Sequence, residues 1–323
     1  MRFCYTLLLL TLIISGCDSC GNKKNEKDSE KQKNAAIINH YNVTLAADLS
    51  NRLNSKFYPK AVADTSIVNI VINNIYPRIL KNKRSMNQLD QFRIDFINKK
   101  QINAYDVRTN DLEIDFKRFG NKQNERISYL RTDFSKGAAA FKNEYQRINE
   151  QAILRPYGSD IWTYLNEGIG NIIIDTTKSY TSFDGHYFLN KQKNVLILLT
   201  DGYIEAGIYG QNFDLSGNKI KNFREAFLKS GASDLNKFYK AHPEFQIKSI
   251  NNPLLKDLNV LVLEMYDRTE SNQGATVQPT DMQIMRIFWK DWLMRSGVRE
   301  PELHPKFSNK AEAEKVIMKF LGV

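Results

Sequence analysis

Cysteine is almost missing from this chain. Cys4, Cys17 and Cys20 all fall at or before position 20, so nothing beyond them can be stapled by a disulfide or organised around a Cys-based zinc site. Histidine is scarce as well. His40, His186, His242 and His304 are far apart in sequence and none forms a ligand-like pair, which reads as four surface or loop residues. No apolar run reaches the roughly 20 residues that a membrane-spanning helix needs. The chain also lacks a Gly-x-Ser-x-Gly elbow, a His-Glu-x-x-His helix, a Gly-rich phosphate loop and any internal repeat, which removes the common motif-bearing hydrolases and nucleotide binders. The formal charge of +10 does not point to nucleic acid, because Lys and Arg are dispersed among acids and no nucleic-acid motif accompanies them.

What is present begins with a processing signal. Met1–Tyr5 carries one positive charge, Thr6–Ile14 is apolar but too short to span a bilayer, and Ser15 and Gly16 supply small residues before Cys17. Ile14-Ser15-Gly16-Cys17 resembles the bacterial lipobox. That resemblance implies a signal peptide over 1–16 and a lipid on Cys17, placing the protein on a membrane of the bacterial cell envelope. An ordinary secretory signal and an uncut anchor are the other readings. Residues 17–37 form a tether: Asp18–Ala35 has almost no apolar side chain to bury, and its interleaved charges suit a solvated spacer better than a lipid-headgroup patch.

The remaining residues, 38–323, are enough for one large domain. Asn42–Ala47 reads as a strand that runs out into a polar loop, delivering Asp48 and Ser50 to its carboxyl end. Asn194–Thr200 is an apolar run without alternation, the mark of a strand covered on both faces, and it too ends in an acid, Asp201. A third stretch, Pro156–Asp160, precedes a predicted helix over Ile161–Ile174, where Ser159 or Asp160 would cap the helix start.

The other elements are coarser. Ala61–Lys83 has near-helical apolar spacing with a kink expected at Pro77. Gln91–Ile97 and Asp111–Phe119 alternate like edge strands and suggest a hairpin-like pair. Glu125–Leu154 carries one buried stripe over one or two helices. Residues 203–256 exceed one crossover and read as an insertion beside the site, with turn chemistry at Gly207–Gly210 and Asp214–Asn218 and a partly helical Phe223–Tyr239 broken near Gly231. Asn259–Met265 is another buried strand, Thr280 and Gln283 have capping-box spacing, and Ser308–Leu321 closes the chain as a helix. Trp289 falls off the main apolar stripe of the helix before it, which leaves a core position and a partner-binding face both open. No strand is predicted between Gly297 and Phe307.

Asp48-Leu49-Ser50-Asn51-Arg52, Gly158-Ser159 ahead of a helix, and Thr200-Asp201-Gly202 occur in the order and strand-loop context of a metal-ion-dependent adhesion site. In this the chain resembles von Willebrand factor A-like domains over about residues 38–270. The resemblance implies an α/β fold with a doubly wound, mostly parallel sheet, helices on both faces and one edge hairpin or antiparallel edge strand. It implies Ser50 and Ser159 as direct hydroxyl ligands, Asp48 and Asp201 as ligands through water, and an open coordination position for the carboxylate of a partner protein. An all-oxygen set of this kind suits Mg, Mn or Ca. Arg52 is the departure, standing where the family has a second serine. Its guanidinium would either pair with Asp48 or Asp201 and replace the ion, or reach solvent and leave four ligands.

The expected function is therefore docking, by a lipid-anchored extracytoplasmic scaffold without bond-breaking chemistry. Two alternatives stay beside it. One is a magnesium-dependent phosphohydrolase with Asp48 as nucleophile, similar to haloacid-dehalogenase-like phosphatases but with Ser50 where they carry a second acid. The other is a metal-independent structural envelope lipoprotein, in which Asp48 and Ser50 only cap a turn.

Overall fold

A computed structural model describes residues 35–82, 86–183, 186–205, 207, 213–271 and 274–323. The predicted signal peptide, Cys17, most of the predicted tether and the turn expected at Ile208–Gly210 lie outside them. Among the described residues no helix is long and apolar enough to cross a membrane. The chain divides into two units: Ser179–Asn190 with the residues up to Ile38, and Asn39–Lys178 with Lys191–Val323.

The strands of the main sheet are β1 (Ala36–Ala47), β2 (Gln91–Phe96), β3 (Glu113–Asp115), β4 (Lys178–Phe183), β5 (His186–Leu199), β6 (Leu258–Met265) and β7 (Glu302–Pro305). In the smaller unit β4 pairs with the start of β5, and Asn190 Nδ2 donates to the Ser179 carbonyl (3.3 Å) and to Thr181 Oγ1 (3.2 Å). Sequence reading places no strand over 178–190 and starts β5 only at Asn194.

In the larger unit the strand order is β3-β2-β1-β5-β6-β7. The pairs β1–β2, β5–β6 and β6–β7 are parallel and β2–β3 is antiparallel. This is a doubly wound α/β sheet with an antiparallel edge. Of the antiparallel pair, β2 is interior, paired on both sides, and β3 is the edge strand. A short helix at Lys100–Ala104 and a 3-10 turn at Thr109–Leu112 join the two, which pair antiparallel as expected. A second strand missed by sequence reading is β7. Pro301 precedes it, Pro305 ends it and all its residues are half-buried, so it carries neither alternation nor an apolar run, yet its parallel pairing with β6 makes it the other edge.

The continuous apolar strands are explained by two cores. Val195, Ile197, Leu199, Leu261 and Leu263 belong to one face; Leu196, Leu198, Val260 and Val262 belong to the other. The first face is covered by α1 (Asp64–Ile70), a π-turn at Val71–Ile75, α2 (Tyr76–Lys81), the long helix Phe134–Leu154 and the last helix, Lys310–Leu321. Pro77 falls in the first turn after the π-turn, where a missing N–H costs least. The second face is covered by Ile161–Ile174 and three helices, Gly217–Ser230, Leu235–Ala241 and Asp281–Arg295. The last of these starts on the expected Thr280–Gln283 capping box. Trp289 is fully buried and its indole N–H donates to the Gly202 carbonyl at 2.8 Å, so it is core and no partner face.

Ile161–Ile174 is helical only at Ile161–Thr163 and through a π-turn at Tyr164–Gly168. Gly168 and Gly170 break the regular spacing, and a Cβ on Gly168 would stand 2.8 Å from Tyr164 Cδ2.

At the amino ends of the central strands, Asn42 Nδ2 donates to Asn194 Oδ1 (3.0 Å) and to the Ile173 carbonyl (2.9 Å), while Arg93 donates to Asn42 Oδ1 (3.1 Å). Asn194 exchanges bonds with the backbone of Asp175, accepting at 2.9 Å and donating at 3.1 Å. Both amides are buried and both are satisfied.

Candidate functional site

The chain leaves β1 by helices on one face and β5 by helices on the other, so the crevice between their carboxyl ends is the topological switch point of the sheet. Asp48 directly follows β1, with its backbone N–H on the Leu199 carbonyl of β5 (2.9 Å). Its Oδ1 accepts from the Ser50 N–H (3.1 Å) and its Oδ2 from Thr200 Oγ1 (3.4 Å). Asp201 follows β5. Its Oδ1 accepts from the Tyr203 N–H (3.2 Å), and its carbonyl accepts from Tyr266 N–H (2.9 Å), tying the loop after β6 to the site.

Asp48, Ser50, Ser159 and Asp201 line one cleft of about 310 Å³, together with Arg52, Tyr58, Tyr157, Tyr203, Glu205 and Arg268. Asp160, not Ser159, caps the short helix, accepting from the Thr163 N–H at 2.9 Å. That leaves the Ser159 hydroxyl buried, 6% exposed and without a hydrogen-bond partner among the described residues. Burial, and then the charge of Asp48, hold the Asp201 carboxyl well above the usual carboxylate range, while Arg268 and Arg52 pull it back.

Arg52 stays inside the loop and pairs with Asp48, one of the two partners expected of it, and not with Asp201. Its main partner is Asp64 at the start of α1, which lies fully buried and also receives Lys60. Its Nε donates to the Asp48 carbonyl (2.7 Å) and stands 3.8 Å from Asp48 Oδ2, so the guanidinium braces the loop from within and is itself only 3% exposed. The cation on Asp201 is Arg268, whose Nη2 donates to Oδ2 at 3.2 Å. Sequence reading missed it because Asp267-Arg268-Thr269 carries no motif; its place two residues beyond Tyr266 in a strand-end loop was the one available signal.

The donor set suits a cation of a particular kind. Among the described residues there is no group of three or more His, Cys, Asp or Glu side chains that could hold a metal. The cleft offers two carboxylates and two hydroxyls, one of them unpartnered, which fits a hard oxygen-seeking divalent ion and not zinc. No protein-family model matches the chain, and no curated protein matches it either.

Proposed function

We propose that the protein is a lipid-anchored, von Willebrand factor A-like docking protein of the bacterial envelope. Its cleft holds Mg, Mn or Ca and, through the ion, a carboxylate of a partner protein. The observation that carries this reading is the convergence of Asp48, Ser50, Asp201 and the unpartnered Ser159 hydroxyl at the switch point of the sheet. Ser50 and Ser159 would ligate the ion directly and Asp48 and Asp201 through water. The ion would supply a fixed positive charge with one position open to the partner, and no bond is broken. Arg52, in the place of a second serine, makes the site a degenerate one and serves the loop instead.

Calorimetric titration of Mn²⁺ into the full chain tests the metal. Saturable binding should disappear in Asp48→Ala and weaken at least roughly tenfold in Ser159→Ala. Crosslinked capture of a partner should be lost on chelation and in Asp201→Ala but kept in Lys27→Ala, a change in the tether. Metal binding that survives Asp48→Ala, or equal partner loss in Asp201→Ala and Lys27→Ala, counts against the reading.

A further inference from the structure

Arg268 is held on two sides of unequal depth. On the inner side its Nη2 meets the buried Asp201 carboxylate at 3.2 Å. On the outer side Nη1 donates to Glu205 Oε1 at 2.7 Å, Nη2 also reaches the Tyr58 hydroxyl at 3.0 Å, and the guanidinium carbon lies 3.6 Å from the centre of the Tyr203 ring. The Glu205 side chain is 53% exposed and that of Arg268 is 31% exposed, so the contacts with Glu205 and Tyr58 stand at the rim of the cleft, with the buried Tyr203 ring beneath the guanidinium. Giving up Asp201 would cost the arginine one hydrogen bond and leave it charged, paired and stacked. Arg52 has no such freedom, because Asp64 and the Asp48 carbonyl hold it in the interior.

A divalent cation on Asp201 and a guanidinium on the same carboxylate repel each other in a partly buried site, where charges interact far more strongly than in water. We propose that Arg268 is a displaceable counter-cation that sets the ion affinity of the cleft: it neutralises Asp201 until a divalent cation, held there through water, takes over that role, and then rests on Glu205 and Tyr58 at the rim, still stacked on Tyr203. The inference rests on the metal reading of the cleft and adds the residue that decides how tightly the ion is held.

The experiment titrates MnCl₂ and MgCl₂ into the full chain and into Arg268→Gln and Arg268→Met, each first checked for a cooperative thermal transition. In the parent the guanidinium N–H resonances of Arg268 are followed during the titration. Both variants should bind Mn²⁺ at least roughly tenfold more tightly than the parent, since a charge-assisted hydrogen bond no longer competes. The parent's Arg268 resonances should move in proportion to occupancy. A silent parent with two binding variants leads to the same conclusion. Adding Asp48→Ala to Arg268→Gln should abolish the gain; a gain that survives it places the ion elsewhere and overturns the proposal. Equal affinities with unmoved Arg268 resonances overturn the counter-cation and leave the metal site standing. Absence of binding in the parent and in both variants removes the metal reading and the counter-cation together.

Discussion

Glu264 bears two costs at once. Its φ of 70° is left-handed, a region a Glu seldom occupies, and it falls where the β6–β7 register shifts between Val262 and Met265. Its carboxyl is buried and pushed up to about 7, first by desolvation, with Asp64 adding to the shift and Lys60 and Arg52 opposing it. Lys60 Nζ stands 3.9 Å from Oε2, too far to hydrogen-bond it, and Oε1 receives the Phe307 N–H at the limit of 3.5 Å. Because the folded-state value lies above the ordinary 4.5, the folded chain binds the extra proton between those two values. Stability therefore falls as pH rises through this window, and the penalty is complete above about 7. Glu264→Gln should raise stability at pH 8 by up to roughly 3 kcal/mol and change little at pH 5. Chemical denaturation at the two pH values checks this, and a gain of equal size at both would assign the effect to the backbone instead. None of this is legible in Asn259–Met265, which as sequence is simply a buried strand with an acid one place before its end.

Among the elements, the turn after β5 and the helix Asp281–Arg295 are built for each other. Gly202 has φ 90°, its carbonyl takes the Trp289 indole N–H, and a Cβ there would stand 3.0 Å from Met285 Sδ and 3.1 Å from Met265 Cε. Gly202→Ala should lower stability by about 1–3 kcal/mol through the strained backbone and the two sulfur side chains that must move. Urea unfolding measures the loss, and an unchanged midpoint would mean that the turn relaxes freely. The elements that sequence reading located well, the two central strands and the capped helix, carry local signals: an unbroken apolar run or a Thr-x-x-Gln box. Those it misplaced depend on distant partners. β7 exists because β6 offers it an edge, and Ile161–Ile174 loses its helix because Gly168 must let Tyr164 lie against the backbone. The cleft divides the same way. Asp48, Ser50 and Asp201 follow from strand ends, whereas Arg268 is separated from Asp201 by 67 residues and is found only when the loop after β6 is seen to bond the Asp201 carbonyl.

At the scale of the whole larger unit, the site is a property of two neighbouring strands and the faces their connections choose. Asn42 stands six residues before Asp48, and Asn194 stands six before Thr200. Their buried amide pair fixes β1 against β5 at one end of the sheet, about 20 Å from the cleft at the other. A one-residue slip would turn every side chain of the strand to the opposite face. Asn42→Leu removes the pair and leaves the Asn194 oxygen and the Arg93 cation short of a partner. It should lower the melting temperature and also weaken Mn²⁺ binding, although it touches nothing in the cleft; a lower melting temperature with unaltered binding would show that the strand tips are set locally. The amides thus act as the zero mark of a scale whose reading is taken at the far end. If the cleft binds as proposed, changes in the loops around it would alter what is gripped there, while a change at Asn42 or Asn194 would alter whether the two halves of the grip meet at all.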